Sequence, residues 1–152
     1  MLEYRIEEKP QMTLVGVARK FRQDTSYQEI PAFWDEVMAQ ENCPVMGKYG
    51  VCIDREGEYR LFDYMIADDL LPDGEIPEGC TAETIPAGTW AVFPCRGPLP
   101  GALQEVNTRM WSEWLPGCRE YALAGYYNIE MYDCENAQEQ YCEIWLPVKR
   151  IG

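Results

Sequence analysis

One acidic side chain, Glu143, lies in the apolar segment near the end of the chain and offers the clearest chemistry in the sequence. Residues 141–148 are rich in aromatic and β-branched side chains, which predicts a strand. Because side chains alternate between the two faces of a strand, Tyr141 and Trp145 share a face with Glu143. A carboxylate between two aromatic rings is poorly solvated, so its ionised form needs a partner.

This pattern leaves three environments open for Glu143. A flat, lipophilic cation could bind it, an edge strand could leave it in water, or a lysine or arginine of the same chain could form an internal salt bridge with it. We expect the first. Glu143 is then at most slightly exposed, lines a cleft, and has a pKa that desolvation raises in the empty protein.

Length and composition indicate one globular domain. The chain has 152 residues, of which 47% are hydrophobic, enough for one hydrophobic core. It contains no run of 18 apolar residues that would predict a membrane span. The first eight residues lack the basic and apolar regions of a signal peptide, so we expect a cytoplasmic protein.

The charge of the chain argues against nucleic acid and anionic membranes as partners. Thirteen basic and 26 acidic side chains give a net charge of −13, which repels phosphate and attracts cations. No basic stripe or helix-turn-helix pattern accompanies this charge, so we expect no DNA-binding domain. Solubility alone is the alternative explanation for the acidity.

The absence of histidine narrows the chemistry further. It excludes His-containing zinc sites, a histidine general base and a Ser-His-Asp triad. The seven cysteines have wide, irregular spacing and no C-x-x-C pair, which is typical of reduced thiols and gives zinc binding little support. We therefore predict no metal and no cofactor, and any catalysis would use carboxylates, tyrosines or thiols.

The order of periodic segments predicts two similar halves. Each half reads as strand, strand, helix, strand, strand, with the halves at about residues 1–75 and 77–152. The expected helices span about residues 28–41 and 98–114. The expected strands are residues 4–9, 13–21, 49–53 and 59–67, then 80–85, 89–94, 123–132 and 141–149. This order predicts an α+β domain of two pseudosymmetric β-β-α-β-β repeats, an antiparallel sheet and a central ligand cleft.

Several segments carry a resemblance to a known superfamily. They are IPAFWD at 30–35, FDY at 62–64, IPAGTWAVF at 85–93, WLP at 114–116, MYD at 131–133 and EIWLPV at 143–148. In this order they resemble the gyrase-inhibitor-like (AraC-type) effector-binding domains of bacteria. Within that superfamily the chain is most similar to the stand-alone integron-associated effector-binding proteins.

The resemblance implies a fold and a ligand class. Its members consist of two such repeats with a ligand cleft between them, and the drug-sensing members bind lipophilic cations through aromatic side chains and one acid. The acidic strand of the family corresponds to Glu143 here. Other stand-alone relatives inhibit gyrase or resemble hydrolases that use a cleft glutamate, so the fold does not decide the activity.

Aromatic side chains complete the candidate site. Trp34 and Trp111 each lie one step off the main apolar ridge of their helix, so each indole can lean over a neighbouring cleft. The candidate ligand-binding residues are Glu143, Trp111, Phe33, Trp34, Tyr64, Tyr127, Tyr141 and Trp145.

The function that we predict is binding of lipophilic cationic small molecules in a regulatory or sequestering role. A separate regulator or a gyrase-like protein is the partner class that the resemblance adds. One alternative is a small hydrolase with Glu143 as general base, assisted by Trp111 and Tyr127. The other is an acidic interaction module that mimics nucleic acid.

Overall fold

The computed structural model describes residues 2–54, 60–71, 73–99, 101–132 and 141–152. Within these residues it contains nine strands and two main helices. The strands are β1 Arg5–Lys9, β2 Met12–Arg22, β3 Tyr49–Ile53, β4 Leu61–Asp69, β5 Thr81–Ile85, β6 Gly88–Arg96, β7 Tyr121–Leu123, β8 Tyr127–Tyr132 and β9 Tyr141–Arg150. The helices are α1 Ser26–Met38 and α2 Gly101–Arg109. This is the α+β architecture that the periodicity predicts.

All strand pairs are antiparallel, and the order of the strands is symmetrical about the β3–β8 pair. The order is β1-β6-β9-β8-β3-β4-β2-β5, with the short β7 also paired to β9. The first strand of each half pairs with the second strand of the other half, β1 with β6 and β5 with β2. The two halves are thus interlocked through exchanged strands, and β3 and β8 form the middle of the sheet.

Buried apolar clusters lie on both faces of the sheet. On one face, α1 packs on a cluster that includes Phe21, Phe33 and Ile66, and α2 packs on a cluster that includes Phe93 and Ile144. On the other face, which we call the helix-free face, the strands form a third apolar cluster that includes Trp90, Tyr127 and Trp145. Alternate side chains of the central strands therefore point toward the helices, and the remaining ones form this third cluster.

The strand predicted at 123–132 is divided in two. Five residues lie between Leu123 and Ile129, whereas only two lie between their partners Val148 and Trp145 on β9. The extra residues form a bend opposite Pro147, whose ring removes a backbone donor from the ladder. The Pro147 carbonyl still accepts from the Ala124 amide at 2.9 Å.

The second helix changes form where a regular helix was predicted. After α2 it continues as a π-helical turn, Met110–Trp114, and a last α turn, Leu115–Gly117. The Ser112 hydroxyl donates to the Thr108 carbonyl at 2.7 Å, the kind of side-chain bond that competes with main-chain helix bonds. Residue 59 of the fourth predicted strand and Cys134 lie outside the described residues.

Candidate functional site

A cleft of about 1240 Å³ opens between the two helices, above the central strands. Its floor includes Cys52 of β3 and Asn128 and Glu130 of β8. Residues of α1 form one wall and residues of α2 and its π turn form the other. The larger lining side chains are Tyr27, Ile30, Trp34, Phe62, Leu99, Leu103, Trp111, Leu115, Leu123, Tyr126, Tyr127 and Tyr132. The cleft thus lies between the halves of the chain, as predicted.

Glu130 is the acid in the floor of this cleft. Alternation along β8 directs Glu130 to the helix side, together with Asn128 and Tyr132. Its Oε1 accepts from the Tyr64 hydroxyl at 2.6 Å and from the Tyr132 hydroxyl at 2.8 Å. The Trp34 indole donates to the Tyr64 hydroxyl at 2.8 Å, so a wall residue is linked to the acid.

Burial dominates the electrostatics of Glu130. Desolvation raises the pKa of this carboxyl, and the hydrogen bonds from Tyr64 and Tyr132 lower it by less. Burial beside Glu130 also raises the pKa of the Cys52 thiol well above its usual value, so this thiol stays neutral. No cation of the described residues pairs with Glu130, and no hydrogen bond from them reaches its Oε2.

Gly50 makes room for the hydrogen bond between Tyr64 and Glu130. It lies opposite Glu130 in the β3–β8 pair. A Cβ at this position would collide with the Tyr64 hydroxyl and with Oε1 of Glu130. Glycine is therefore required here for space rather than for backbone conformation.

A set of polar contacts, here the Tyr27 clasp, joins α1 to α2 at one end of the cleft. Pro31 has no amide hydrogen, so the helix leaves the Tyr27 carbonyl without its usual donor. Gln104 Nε2 donates to that carbonyl at 3.1 Å. The Tyr27 hydroxyl contacts the Gln104 carbonyl at 3.3 Å, the Thr108 hydroxyl at 3.1 Å and Asn107 Nδ2 at 2.9 Å.

Glu143 lies on the helix-free face of the sheet and not in the cleft, so the predicted location is wrong. It is buried as predicted, at 5% exposure. Its Oε2 accepts from Arg5 Nη2 at 2.7 Å and from the Tyr141 hydroxyl at 2.6 Å, and its Oε1 accepts from Trp145 Nε1 at 3.0 Å. The internal salt bridge, one of the three environments that the alternation left open, is the one found.

The predicted direction of the Glu143 pKa is also wrong. Burial raises this pKa, but the hydrogen bonds from Tyr141, Trp145 and Arg5 together outweigh it, and the pKa falls below its usual value. Desolvation acts as expected, but Arg5 adds a charged donor. It is 138 residues away along the chain and reaches Glu143 because β1 is exchanged into the other half of the sheet.

The other predicted ligand residues are divided between the two faces. Trp34 and Trp111 line the cleft, and the buried Tyr64 hydroxyl donates a hydrogen bond to Glu130 in the cleft floor. Tyr127 borders the cleft, but its hydroxyl donates to Glu83 at 2.6 Å on the helix-free face. Phe33 is buried in the core beneath α1. Tyr141 and Trp145 hold Glu143, away from the cleft.

Glu130 is not among the predicted site residues, although the sequence carries a signal for it. Tyr127, Ile129 and Met131 alternate with Asn128, Glu130 and Tyr132. The second set reads as a solvent-facing side of a strand, and here it faces a cleft. Glu130 is flanked at its i±2 positions by Asn128 and Tyr132, much as Glu143 is flanked by aromatic residues.

The described parts of the chain show neither a metal-binding cluster nor a membrane-spanning helix. They contain no cluster of three or more cysteine, aspartate or glutamate side chains placed to hold a metal ion. None of their helices combines the length and apolar content needed to cross a bilayer.

The sequence of residues 5–148 matches a family described as integron-associated effector binding protein, or Cass2. The chain belongs to this family. The match covers both helices and all nine described strands, at least in part, so it includes the whole cleft. Comparison with curated protein sequences gives no significant match.

Solved structures share the fold at low sequence identity. SAV2435 bound to tetraphenylphosphonium has a TM-score of 0.74 and 21% identity, over 97% of this chain and 94% of that one. The integron cassette protein VCH_CASS2 from the mobile metagenome of Vibrio cholerae has a TM-score of 0.74 and 16% identity, over 96% and 95%. The EcmrR C-terminal domain has a TM-score of 0.59 and 17% identity, over 99% of each chain. These likenesses establish the fold.

Proposed function

We propose that this chain binds bulky lipophilic cations and that Glu130, rather than Glu143, supplies the countercharge. The observation that carries the proposal is the Glu130 carboxylate in the floor of an aromatic-walled cleft, without a cation of the described residues beside it. An ionised carboxylate in such a place is costly unless a positive group joins it. A cationic ligand provides that group.

The walls of the cleft suit an apolar ligand. The volume of about 1240 Å³ is sufficient for a drug-sized molecule. Burial of apolar surface contributes about 25 cal/mol per Å², and stacking of a cation on Trp34 or Trp111 adds roughly 0.5–2 kcal/mol per good contact. After the costs of association, we expect micromolar affinity with loose selectivity.

The structure of SAV2435 with tetraphenylphosphonium supports this ligand class by fold analogy. The net charge of −13 disfavours direct contact with DNA. We therefore propose that the bound ligand is sequestered, or that its binding is passed to a separate regulatory protein.

The test is a titration of tetraphenylphosphonium and of neutral triphenylphosphine oxide with the wild type, Glu130→Gln, Glu36→Gln and Trp111→Ala. Glu130→Gln keeps the shape and removes the charge, so it should weaken the phosphonium selectively by roughly 1–3 kcal/mol. Glu36→Gln removes an equal charge from an exposed pair with Arg19 and serves as the matched control. Trp111→Ala should weaken both compounds, because it removes apolar contact.

Equal weakening of both compounds by Glu130→Gln would give the acid a structural role and remove the proposal. In that case, hydrolysis of ester or amide probes would favour the hydrolase alternative. Stable complexes with a protein such as gyrase would favour the interaction alternative.

A further inference from the structure

A first chain of hydrogen bonds in the cleft leaves a free acceptor at Glu130. An indole N–H can only donate, so the Trp34 N–H donates to the Tyr64 oxygen, and the Tyr64 hydrogen is directed to Oε1 of Glu130. Tyr132 donates to the same oxygen. These three donors are thus engaged, and Oε2 of Glu130 accepts nothing from the described residues.

A second chain starts from the Tyr27 clasp and ends at Asn128. The Tyr27 hydroxyl donates to the Gln104 carbonyl, which can only accept, and it accepts from Asn107 Nδ2. This direction turns Asn107 Oδ1 toward Asn128, whose Nδ2 donates to it at 3.1 Å. With both amides oriented this way, each hydrogen bond from Tyr27 to Asn128 joins one donor to one acceptor.

The free end of the second chain is a buried acceptor. Asn128 is 9% exposed, and its Oδ1 has no hydrogen-bond partner among the described residues. A buried carbonyl oxygen without a donor is uncommon in folded proteins. Asn128 also lines the cleft, so a ligand is a natural source of the missing donor.

The two free acceptors lie side by side. Asn128 and Glu130 are two residues apart on the same face of β8. A strand rises about 3.3 Å per residue, so their attachment points are roughly 6–7 Å apart. One flat molecule can reach both.

From this arrangement we infer that Glu130 and Asn128 form a two-point acceptor site. The site favours cations that carry N–H groups over cations whose charged or conjugated nitrogens are fully alkylated. Protonated amines, amidinium groups and amino-substituted aromatic cations are the ligand classes that it takes. The inference rests on the proposed function and specifies its ligand chemistry.

Opening of the Tyr27 clasp would let a ligand donor reach Asn128. The hydrogen bonds of the clasp that involve Tyr27 are exposed, so water can replace them when α1 and α2 separate. Asn107 then remains the only described partner of the Asn128 side chain. A ligand N–H can enter beside it.

The experiment compares two dyes of equal, permanent charge. One is 3,6-diamino-10-methylacridinium, which carries four N–H groups, and the other is its 3,6-bis(dimethylamino) analogue, which carries none. The measured quantity is the ratio of their dissociation constants, obtained by fluorescence titration. Extra methyl groups favour the analogue through apolar burial, so the ratio is compared between variants and not read in the wild type alone.

The deciding variants are at position 128. Asn128→Leu has a similar volume and no acceptor, so it should reduce the preference for the N–H dye about fivefold, the scale of one neutral hydrogen bond. Asn128→Asp keeps an acceptor oxygen, so it should retain or increase the preference. Circular dichroism and thermal unfolding establish that each variant is folded.

An unchanged ratio in Asn128→Leu, with both dyes still bound, would overturn the inference and leave the proposed function standing. If Asn128→Leu does not fold, Asn128→Asp decides: a retained or increased preference supports the inference, and a lost preference overturns it. If Glu130→Gln leaves the affinities of both dyes unchanged, the proposed function itself fails. The two failures are therefore distinguishable.

Discussion

Glu130 and Glu143 lie on neighbouring strands, one residue out of register, because Met131 pairs with Glu143 and Glu130 pairs with Ile144. Each is surrounded by aromatic side chains, and each accepts hydrogen bonds from tyrosine hydroxyls. Alternation places one on the helix side and the other on the helix-free face. Their pKa values move in opposite directions, up for Glu130 and down for Glu143.

At Glu143 the hydrogen bonds outweigh desolvation in setting the pKa, whereas at Glu130 desolvation outweighs them, and one of the donors to Glu143 is a guanidinium group. Glu143 accepts from Arg5 as well as from two neutral donors, so its charge is neutralised within the protein. Glu130 accepts only from hydroxyl groups among the described residues, and its charge remains without a counterion. An acid that has its own cation contributes to the fold, whereas a cleft acid without one is available for a ligand.

The helix-free face also shows how this chain accommodates cations. The Arg5 guanidinium lies against Glu143 beside Tyr141, and Lys9 Nζ lies 3.8 Å from the centre of the Trp145 ring. Two internal cations thus lie against this group, one at the Glu143 carboxylate and one over the Trp145 ring. This is the chemistry that the sequence argument assigned to a ligand.

The largest effect that we expect is a loss of folding stability when the charge of Glu143 is removed. Whichever way the amide of Glu143→Gln turns, its NH₂ group faces a donor, either Trp145 Nε1 or the Arg5 and Tyr141 pair. We predict a loss of about 2–3 kcal/mol in the free energy of unfolding, the scale of charged hydrogen bonds left unmade. Denaturant unfolding measures it.

Glu130→Gln is the matched variant for that experiment. Because it removes a desolvated charge, the free energy of unfolding at neutral pH should stay the same or increase. Equal losses in the two variants would mean that both acids serve the fold.

Next in size is the effect of filling the space at Gly50. In Gly50→Ala the new methyl group collides with the Tyr64 hydroxyl, so the Tyr64–Glu130 hydrogen bond must move or break. We expect a loss of about 1–3 kcal/mol in unfolding free energy, the scale of overpacking. Cation affinity should fall as well, because the acid is displaced.

Gly88→Ala is the control for this change. A Cβ at Gly88 meets nothing within 4 Å. An unchanged cation affinity in Gly50→Ala, in a folded protein, would show that the position of Glu130 is not critical.

How much of this could be predicted differs between the fold and the site. Helix and strand periodicity depends on neighbours a few residues apart, so the element order and the cleft followed from it. The burial of Glu143 followed for the same reason. Its partner did not, because Arg5 belongs to a strand exchanged between the halves. Glu130 was missed because a polar face above a cleft has the same pattern as a polar face in water.

The pH dependence of binding offers a smaller, directional test. The Glu130 pKa is raised above its ordinary value of 4.5, so its charge is lost as the pH falls through that raised value. Affinity for a permanently charged phosphonium should therefore decrease there, up to about tenfold per pH unit. The binding curve of Glu130→Gln should be flat over the same range, and a flat curve for the wild type would contradict the assignment.

Stability should show the opposite signs for the two acids. For Glu143, whose folded pKa is lowered, the stabilisation is present above its ordinary pKa of 4.5 and is lost as the pH falls through the folded pKa. For Glu130, whose folded pKa is raised, stability is lost as the pH rises from 4.5 through the folded pKa. Unfolding of Glu130→Gln and Glu143→Gln as a function of pH separates these contributions.

The smallest expected effect tests whether the two faces are independent. Lys9→Met keeps the apolar stem and removes the charge that lies over the Trp145 ring. It should lower the unfolding free energy by only about 0.5–1 kcal/mol, because one cation–π contact and a partly exposed ion pair with Glu7 are lost.

Lys149→Met, at an exposed position on β9, changes the net charge equally and is the control. Phosphonium affinity should be the same in both variants, because Lys9 packs on the helix-free face and the proposed ligand site lies on the other face. A weaker affinity in Lys9→Met alone would show that the Glu143 face and the Glu130 cleft are coupled through the sheet, and the division of roles between the two acids would then have to be abandoned.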